Sequence, residues 1–359
     1  MIEPSTDSAQ VNETVAAAGS AVVPNARPGA PAWLTALGSS TALWVFGVDI
    51  ILVLVFGFLS PDRAFLSARA FQALGLDASE GLILATGIAL LLGAGEIDLS
   101  LGANLLLSSV VGAKIIVSFG GGSTTLATVV GVLGCLATGA AVGAFNGLVT
   151  TRLRVVSLIA TLATLGIATG IANIITDGTD ITGLPQSLQT GFGIRTEFGI
   201  PLPAFVAFAL WLIVLVLFRT TRYGMRILAL GSNRGAAQRA GLRVNLHIVV
   251  MFTLVGMLAG VAGFIDLTRF ATTNLAGHTN DGLSAITAAV IGGTSLFGGR
   301  ISLAGVLSGT LLAVILEDGL IVVGLSPFYQ LIAIGVVLIA AVSLDQYRRP
   351  GGIRLRLLR

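Results

Sequence analysis

Apolar stretches of about 20 residues recur along most of this chain, separated by short polar breaks, and that rhythm predicts a bundle of membrane-spanning helices. The spans lie at residues 37–59, 81–93, 99–119, 125–149, 155–175, 203–218, 247–267, 282–292, 302–323 and 330–344. Two of them, 81–93 and 282–292, are too short to cross about 30 Å of hydrocarbon as straight helices. Each runs into a glycine-rich break, GAGEIDLSLG at 93–102 and GGTSLFGGR at 292–300. Irregular backbone at membrane depth has to be buried in protein or line a watery cavity, and paired interrupted segments point to a transport pathway. Two tight turns at the inner surface are the plainer alternative. Glycines four residues apart (Gly139, Gly143 and Gly147; Gly166 and Gly170; Gly256 and Gly260) predict close helix contacts in a compact bundle.

Charge gives the spans a direction. Membrane proteins hold Lys and Arg in their cytoplasmic loops. Residues 219–247 carry six arginines, Arg219, Arg222, Arg226, Arg234, Arg239 and Arg243, with no acidic residue. Ten spans with both termini inside put this loop in the cytoplasm together with Arg152, Arg154, Arg300 and the tail 345–359. The loop 177–200 then falls outside. Residues 1–36 have no basic residue before Arg27 and read as a disordered cytoplasmic tail, not a secretory signal. The organisation expected is a tail at 1–36, a membrane domain at 37–344 and a basic tail at 345–359.

Composition agrees. Hydrophobic residues make up 55% and charged residues 10%, against about 25% charged in soluble chains. The net charge of +3 sits on span edges rather than on a surface with exposed aromatics, which argues against nucleic acid. The single cysteine, Cys135, excludes disulfides and a cysteine metal site.

Few residues in the spans offer chemistry. Glu96 and Asp98 stand at the first break, where Asp98 is placed to cap the amides of the following helix. A charge-based role is the alternative, since ionisable groups in a membrane are costly. Asp49, Asp266, Glu317 and Asp318 are the other acids, with Asp266 and the 317–318 pair toward the outer half. Lys114, the only lysine, lies one span away, and His247 and His278 sit at span edges. Asn104, Asn146, Ser157, Thr161, Thr164 and Asn173 suit a neutral hydroxylated ligand, with helix-to-helix hydrogen bonds as the alternative. No P-loop, HExxH, GxSxG or Cys/His cluster is present, so nucleotide-driven transport needs its engine on another polypeptide.

The arginine loop is the extended surface through which such an engine can act. Gly231 and Gly241 bracket Ser232–Ala240 and can turn the chain into and out of a short helix. Within it, Asn233 and Arg234 lead to Ala236 and Ala237, small enough for close approach, while Arg234 and Arg239 are expected to meet a partner's groove. A topogenic loop with no partner is the alternative.

Three segments together resemble the permease subunits of bacterial ABC importers of the ribose/simple-sugar type. The first is Gly95-Glu96-Ile97-Asp98-Leu99-Ser100-Leu101-Gly102, similar to that family's GGIDLSVG signature. The second runs from Tyr223-Gly224-Met225-Arg226 through Ala229, Gly231, Asn233, Ala236-Ala237 and Ala240-Gly241 to Val244-Asn245. The third runs from Ala285 to Gly299 and holds Gly292, Gly293, Gly298 and Gly299, close to the family's AIAAVVIGGTSLxGG pattern. The resemblance implies an all-α polytopic membrane protein of about ten helices, with the larger, cobalamin-importer-like bundle. It implies a bacterial inner-membrane location, and a second permease chain, identical or different. It also implies ABC ATPase subunits that carry the ATP and Mg, and a periplasmic or lipid-anchored solute-binding protein. Residues 219–247 would hold the coupling helix. Glu96 stands where glycine is frequent, and Asn280-Asp281-Gly282-Leu283-Ser284 replaces an acidic GYELD-like run. Both weaken a ribose assignment, not the class. A branched-chain amino-acid permease and an ion-coupled secondary transporter are the competing readings. The latter requires membrane-embedded acid or base pairs.

Overall fold

The computed structural model describes residues 41–119 and 124–326, with isolated positions beyond. The tails expected at 1–36 and 345–359, and most of the span expected at 330–344, lie outside the described residues. In chain order the α-helices of six residues or more are α1 Thr41–Leu59, α2 Ala68–Gly93, α3 Leu101–Ser118, α4 Thr124–Arg152, α5 Ser157–Thr176, α6 Leu202–Thr220, α7 Arg222–Ser232, α8 Arg234–Arg239, α9 Val244–Phe270, α10 Asp281–Ile291 and α11 Leu303–Val322. A two-residue hairpin, β1 Thr196–Glu197 with β2 Ile200–Pro201, precedes α6. Among the described residues eight helices are long and apolar enough to cross a membrane.

One predicted span was drawn too short. The stretch at 81–93 is the second half of α2, which starts at Ala68 and has 26 residues, about 39 Å of helix. Its first half carries Arg69, Gln72, Asp77 and Glu80, and these polar residues hide it from a hydropathy reading. They are tolerated because Asp77 and Glu80 face protein, as described below, and not lipid. The other short span keeps its length: α10 has 11 residues, about 16 Å.

The core forms where α2, α9 and α10 meet. Ile83, Ile88, Leu91 and Leu92 of α2 pack with Met251, Phe252 and Val255 of α9 and with Ala289 of α10, all buried. Helix α4 lies on α9 backbone to backbone. A Cβ on Gly139 would overlap Gly256 O, one on Gly256 would overlap Gly139 O, and one on Gly143 would overlap Phe252 O. These are the four-residue glycine repeats read from the sequence, and two of the three serve as expected. Gly166 and Gly170 do not, because nothing lies within 4 Å of a Cβ at either.

The first break is not a tight surface turn. Asn104 Nδ2 donates to Gly139 O at 3.2 Å, near the midpoint of α4, so α3 begins halfway along the bundle. Residues 94–100 therefore climb from the end of α2 into the bundle as non-helical chain. The backbone groups of that climb find partners on α5. Ile97 N–H donates to Ser157 Oγ and Leu99 N–H to Thr161 Oγ1, both at 3.2 Å. Irregular chain inside a bundle persists only with such partners.

Candidate functional site

Both breaks open in the same way. After α2, Gly95 takes φ +78°, and the Glu96 amide donates back to Leu91 O at 2.9 Å. After α10, Gly293 takes φ +96°, and the Thr294 amide donates back to Ala289 O at 3.0 Å. This closure of a helix end needs a residue free to enter the left-handed region, which is why a glycine stands at each.

The three segments singled out by sequence meet at one place. Gly299 N–H donates to Gly93 O at 2.9 Å, joining the two breaks directly. Gly231 packs over that bond: its Cβ position overlaps Gly93 O and lies 2.6 Å from Gly299 N. A Cβ on Gly298 would come 2.7 Å from Gly231 O, and one on Gly299 would come 2.9 Å from Ser232 Oγ. Arg234 pairs with Glu96, whose side chain is 4% exposed. The arginine arm is thus seated on both breaks.

Within the arm, three expectations change. Gly231 is not a turn; it lies inside α7, and its lack of a side chain permits the close approach just described. The chain turns at Asn233, whose side chain caps α8 by accepting the Ala236 amide at 2.9 Å, and leaves through Gly241 at φ +85°. Ala237 points inward at 5% exposed, whereas Ala236 and Arg239 face outward. Arg234, expected to reach for a partner, has one inside the chain, although its side chain remains half exposed. Beside α8 a groove of about 690 Å³ is lined by Arg152, Arg234 and Arg243, which fixes one end of the bundle as the arginine end.

The polar residues of the spans form a second cluster, around the start of α3. Asp98 is 1% exposed and accepts the Ser100 amide at 2.8 Å and the Ser100 hydroxyl at 2.6 Å. Ser100 is itself the N-cap residue, so Asp98 holds the cap in place instead of capping the first turn. Asn146 Nδ2 donates to Ser100 Oγ at 2.8 Å. Ser157 and Thr161 hold the irregular chain, Asn104 holds α4, and the Thr164 and Asn173 side chains donate to carbonyls within α5. Gly102 lies against the loop that precedes α10, where its Cβ position overlaps His278 O. Gly292 and Gly305 make the matching close contact between α10 and α11.

At the opposite end lies a cavity of about 650 Å³ that sequence reading did not assemble. Six carboxylates line it, Asp77, Glu80, Asp266, Asp281, Glu317 and Asp318, together with Arg269 and His278. Arg269 on α9 pairs with Asp77 at 2.7 Å and with Glu80 at 3.6 Å. His278 Nδ1 lies 2.7 Å from Asp281 Oδ2, and its Nε2 lies 3.3 Å from Asp266 Oδ1. The Asp266 and Asp281 carboxylates therefore flank the imidazole, one at each ring nitrogen. The loop carrying His278 is anchored by Asp180, which accepts from Thr273 Oγ1 at 3.1 Å and from the Leu275 amide at 2.9 Å. Of this set the sequence pointed to Asp266, Glu317, Asp318 and His278. Asp77 and Glu80 were missed because they precede the span as it was drawn. A helical period extended back through the Ser-Glu-Gly at 79–81 would have found them.

A helical bundle that carries a backbone excursion and a charged cavity inside it has the build of a polytopic membrane transport protein. The chain belongs to the family described as branched-chain amino acid transport system / permease component, whose model matches residues 76–342. Among its curated relatives is the ribose import permease protein of Escherichia coli K12, 33% identical over 321 residues, 89% of this chain and 96% of that one. The ribose import permease protein of Bacillus subtilis is 38% identical over 297 residues, 82% and 90% of the two chains. The D-allose transport system permease protein of Escherichia coli K12 is 34% identical over 303 residues, 84% and 90%. No solved structure matches. These likenesses decide between the transport readings, since the buried acid–base cluster alone would also suit an ion-coupled carrier.

Proposed function

We propose that this chain is the membrane-spanning permease subunit of an ATP-driven importer that takes up a sugar or sugar-like solute. The relatives named above are sugar permeases by their descriptions, and they cover most of their own length in the match. In this reading the arginine end faces the cytoplasm, both termini lie inside, and the acid-lined cavity opens outward. ATP and Mg act on a separate ATPase, a second permease chain completes the pathway, and an external binding protein delivers the solute.

The observation that carries this reading is the contact of Gly231 and Arg234 with both breaks. A push on the exposed face of α8 reaches Gly93 and Gly299 through backbone, with no flexible side chain between. From Gly93 it passes to residues 94–100 and so to the start of α3. In this reading displacement of the arm and of the breaks is coupled through these contacts, and the energetic coupling is what mutation across them measures. The hydroxyls of Ser157 and Thr161 hold residues 97–99, Asn104 and Asn146 border the same route at the start of α3, and Thr164 and Asn173 lie further along α5.

The test is co-purification followed by reconstitution. A tagged chain should bring an ABC ATPase with it. Proteoliposomes holding both, with the cognate binding protein, should take up a labelled pentose or hexose only when ATP is present on the ATPase side. Uptake driven by an ion gradient without ATP would overturn the proposal, and ATP-driven uptake of leucine in place of sugars would overturn the substrate class.

A further inference from the structure

The side chains of Glu80, Asp266 and His278 meet in this cavity as charge partners, His278 with Asp266 and Glu80 with Arg269, but without an aligned hydrogen bond among the three. Asp266 is fully buried, and neither carboxylate oxygen has a hydrogen-bond partner. His278 Nε2 and Glu80 Oε1 are likewise buried and without a hydrogen bond. His278 Nε2 stands 3.3 Å from Asp266 Oδ1, so the two face each other but are not aligned as donor and acceptor. One ligand atom from each of Glu80, Asp266 and His278 lies within 4.8 Å of the others. Polar groups left like this in a protein interior are costly, and a bound ion is one of the few things that removes the cost.

We propose that Glu80, Asp266 and His278 bind a single divalent transition-metal cation, with zinc the best fit. Ligands at about 2.0–2.1 Å from a tetrahedral zinc stand about 3.3 Å apart. That is the separation of His278 Nε2 and Asp266 Oδ1. Glu80 closes in by side-chain rotation, because its 3.6 Å pairing with Arg269 is looser than the 2.7 Å pairing of Asp77 with the same guanidinium. The outer arrangement is also that of a metal-binding histidine. Asp281 Oδ2 at 2.7 Å accepts a hydrogen bond from Nδ1–H, which orients the ring and leaves Nε2 as the ligand atom. Imidazole with two carboxylates favours a first-row transition metal over calcium or magnesium, which prefer oxygen alone. Binding displaces any proton on Nε2, which is released to the solvent that the cavity opens to. The ion ties α2, α9 and the loop before α10 together, three elements that otherwise meet here through a charge imbalance. His278 O also abuts Gly102, so the tie reaches the start of α3.

The full-length protein in nanodiscs, stripped with a chelator and desalted, is titrated with Zn²⁺ by calorimetry, and its retained zinc is measured after a second desalting. The expected result is about one zinc per chain and a zinc-dependent rise in the thermal midpoint. His278→Gln and Asp266→Asn should each lower the affinity at least tenfold, and Asp281→Asn by about 10–100-fold. Glu197→Gln, on the exposed hairpin, should leave it unchanged. Failure of the unaltered protein to retain zinc overturns the proposal whatever the variants do, and so does equal affinity in folded His278→Gln. Neither readout depends on transport, so the proposed function is not at stake in this experiment.

Discussion

Replacing Gly231 by alanine adds one methyl group at the crossing of the two breaks. Its Cβ position overlaps Gly93 O and lies 2.6 Å from Gly299 N, where an ordinary contact is 3.4–4 Å. Both obstacles are backbone, so no side chain can swing aside. Either α7 lifts away from the breaks, or Gly93 and Gly299 part and lose their 2.9 Å hydrogen bond. Overpacking of this kind costs about 1–3 kcal/mol and the lost bond about 1 kcal/mol more. The variant should insert in the membrane, melt at a lower temperature in nanodiscs, and retain the ATPase while losing ATP-dependent uptake. Gly235→Ala is the matched control: it lies in α8, its Cβ would meet only side-chain atoms at 3.6 Å, and alanine favours the helix. Gly231→Ala with the original melting midpoint and full uptake would refute the idea that arm and breaks are coupled through backbone contact.

Three further outcomes are expected. Arg234→Ala strips the partner from the buried Glu96 carboxylate and should destabilise by about 1–2 kcal/mol, discounted because Arg234 is half exposed; the cycle with Glu96→Gln should recover about 1 kcal/mol as coupling, and strict additivity would count against the pair. Ala236→Trp should abolish ATPase binding or uptake in a folded protein, whereas Ala237→Trp should lower stability because that side chain is 5% exposed; the reverse pattern would invert the assigned face of α8. A reporter fused after Gln189 should read external and one after Arg234 cytoplasmic, and an external reading at Arg234 would reverse the orientation.

Much of the fold was legible because lipid permits few solutions. Eight of the predicted spans are long helices and the short 282–292 span is α10, since a continuous apolar run in a membrane satisfies its own backbone only as a helix, a barrel strand being shorter and alternating. The first half of α2 was illegible for the same reason. Its acids face a protein cavity, and hydropathy cannot tell a polar residue facing a cavity from one in a loop. The arm was located by its arginines, yet the directions of Ala236 and Ala237 could not be, because they depend on where Asn233 breaks the helix. The acid-lined cavity joins residues as far apart as Asp77 and Asp318, and no local spacing encodes such a meeting.

The contact between α4 and α9 sets a limit on how this molecule can work. Where glycine carbonyls rest on glycine carbons, as at Gly139 and Gly256, there is no side chain to act as a bearing. Sliding by one residue, about 1.5 Å with a turn of 100°, would drive larger groups into space that holds only hydrogen. The two helices therefore travel as a single strut. Whatever rearrangement opens the molecule first to one side and then to the other pivots around that strut, which makes it the natural frame of reference for measuring the movement.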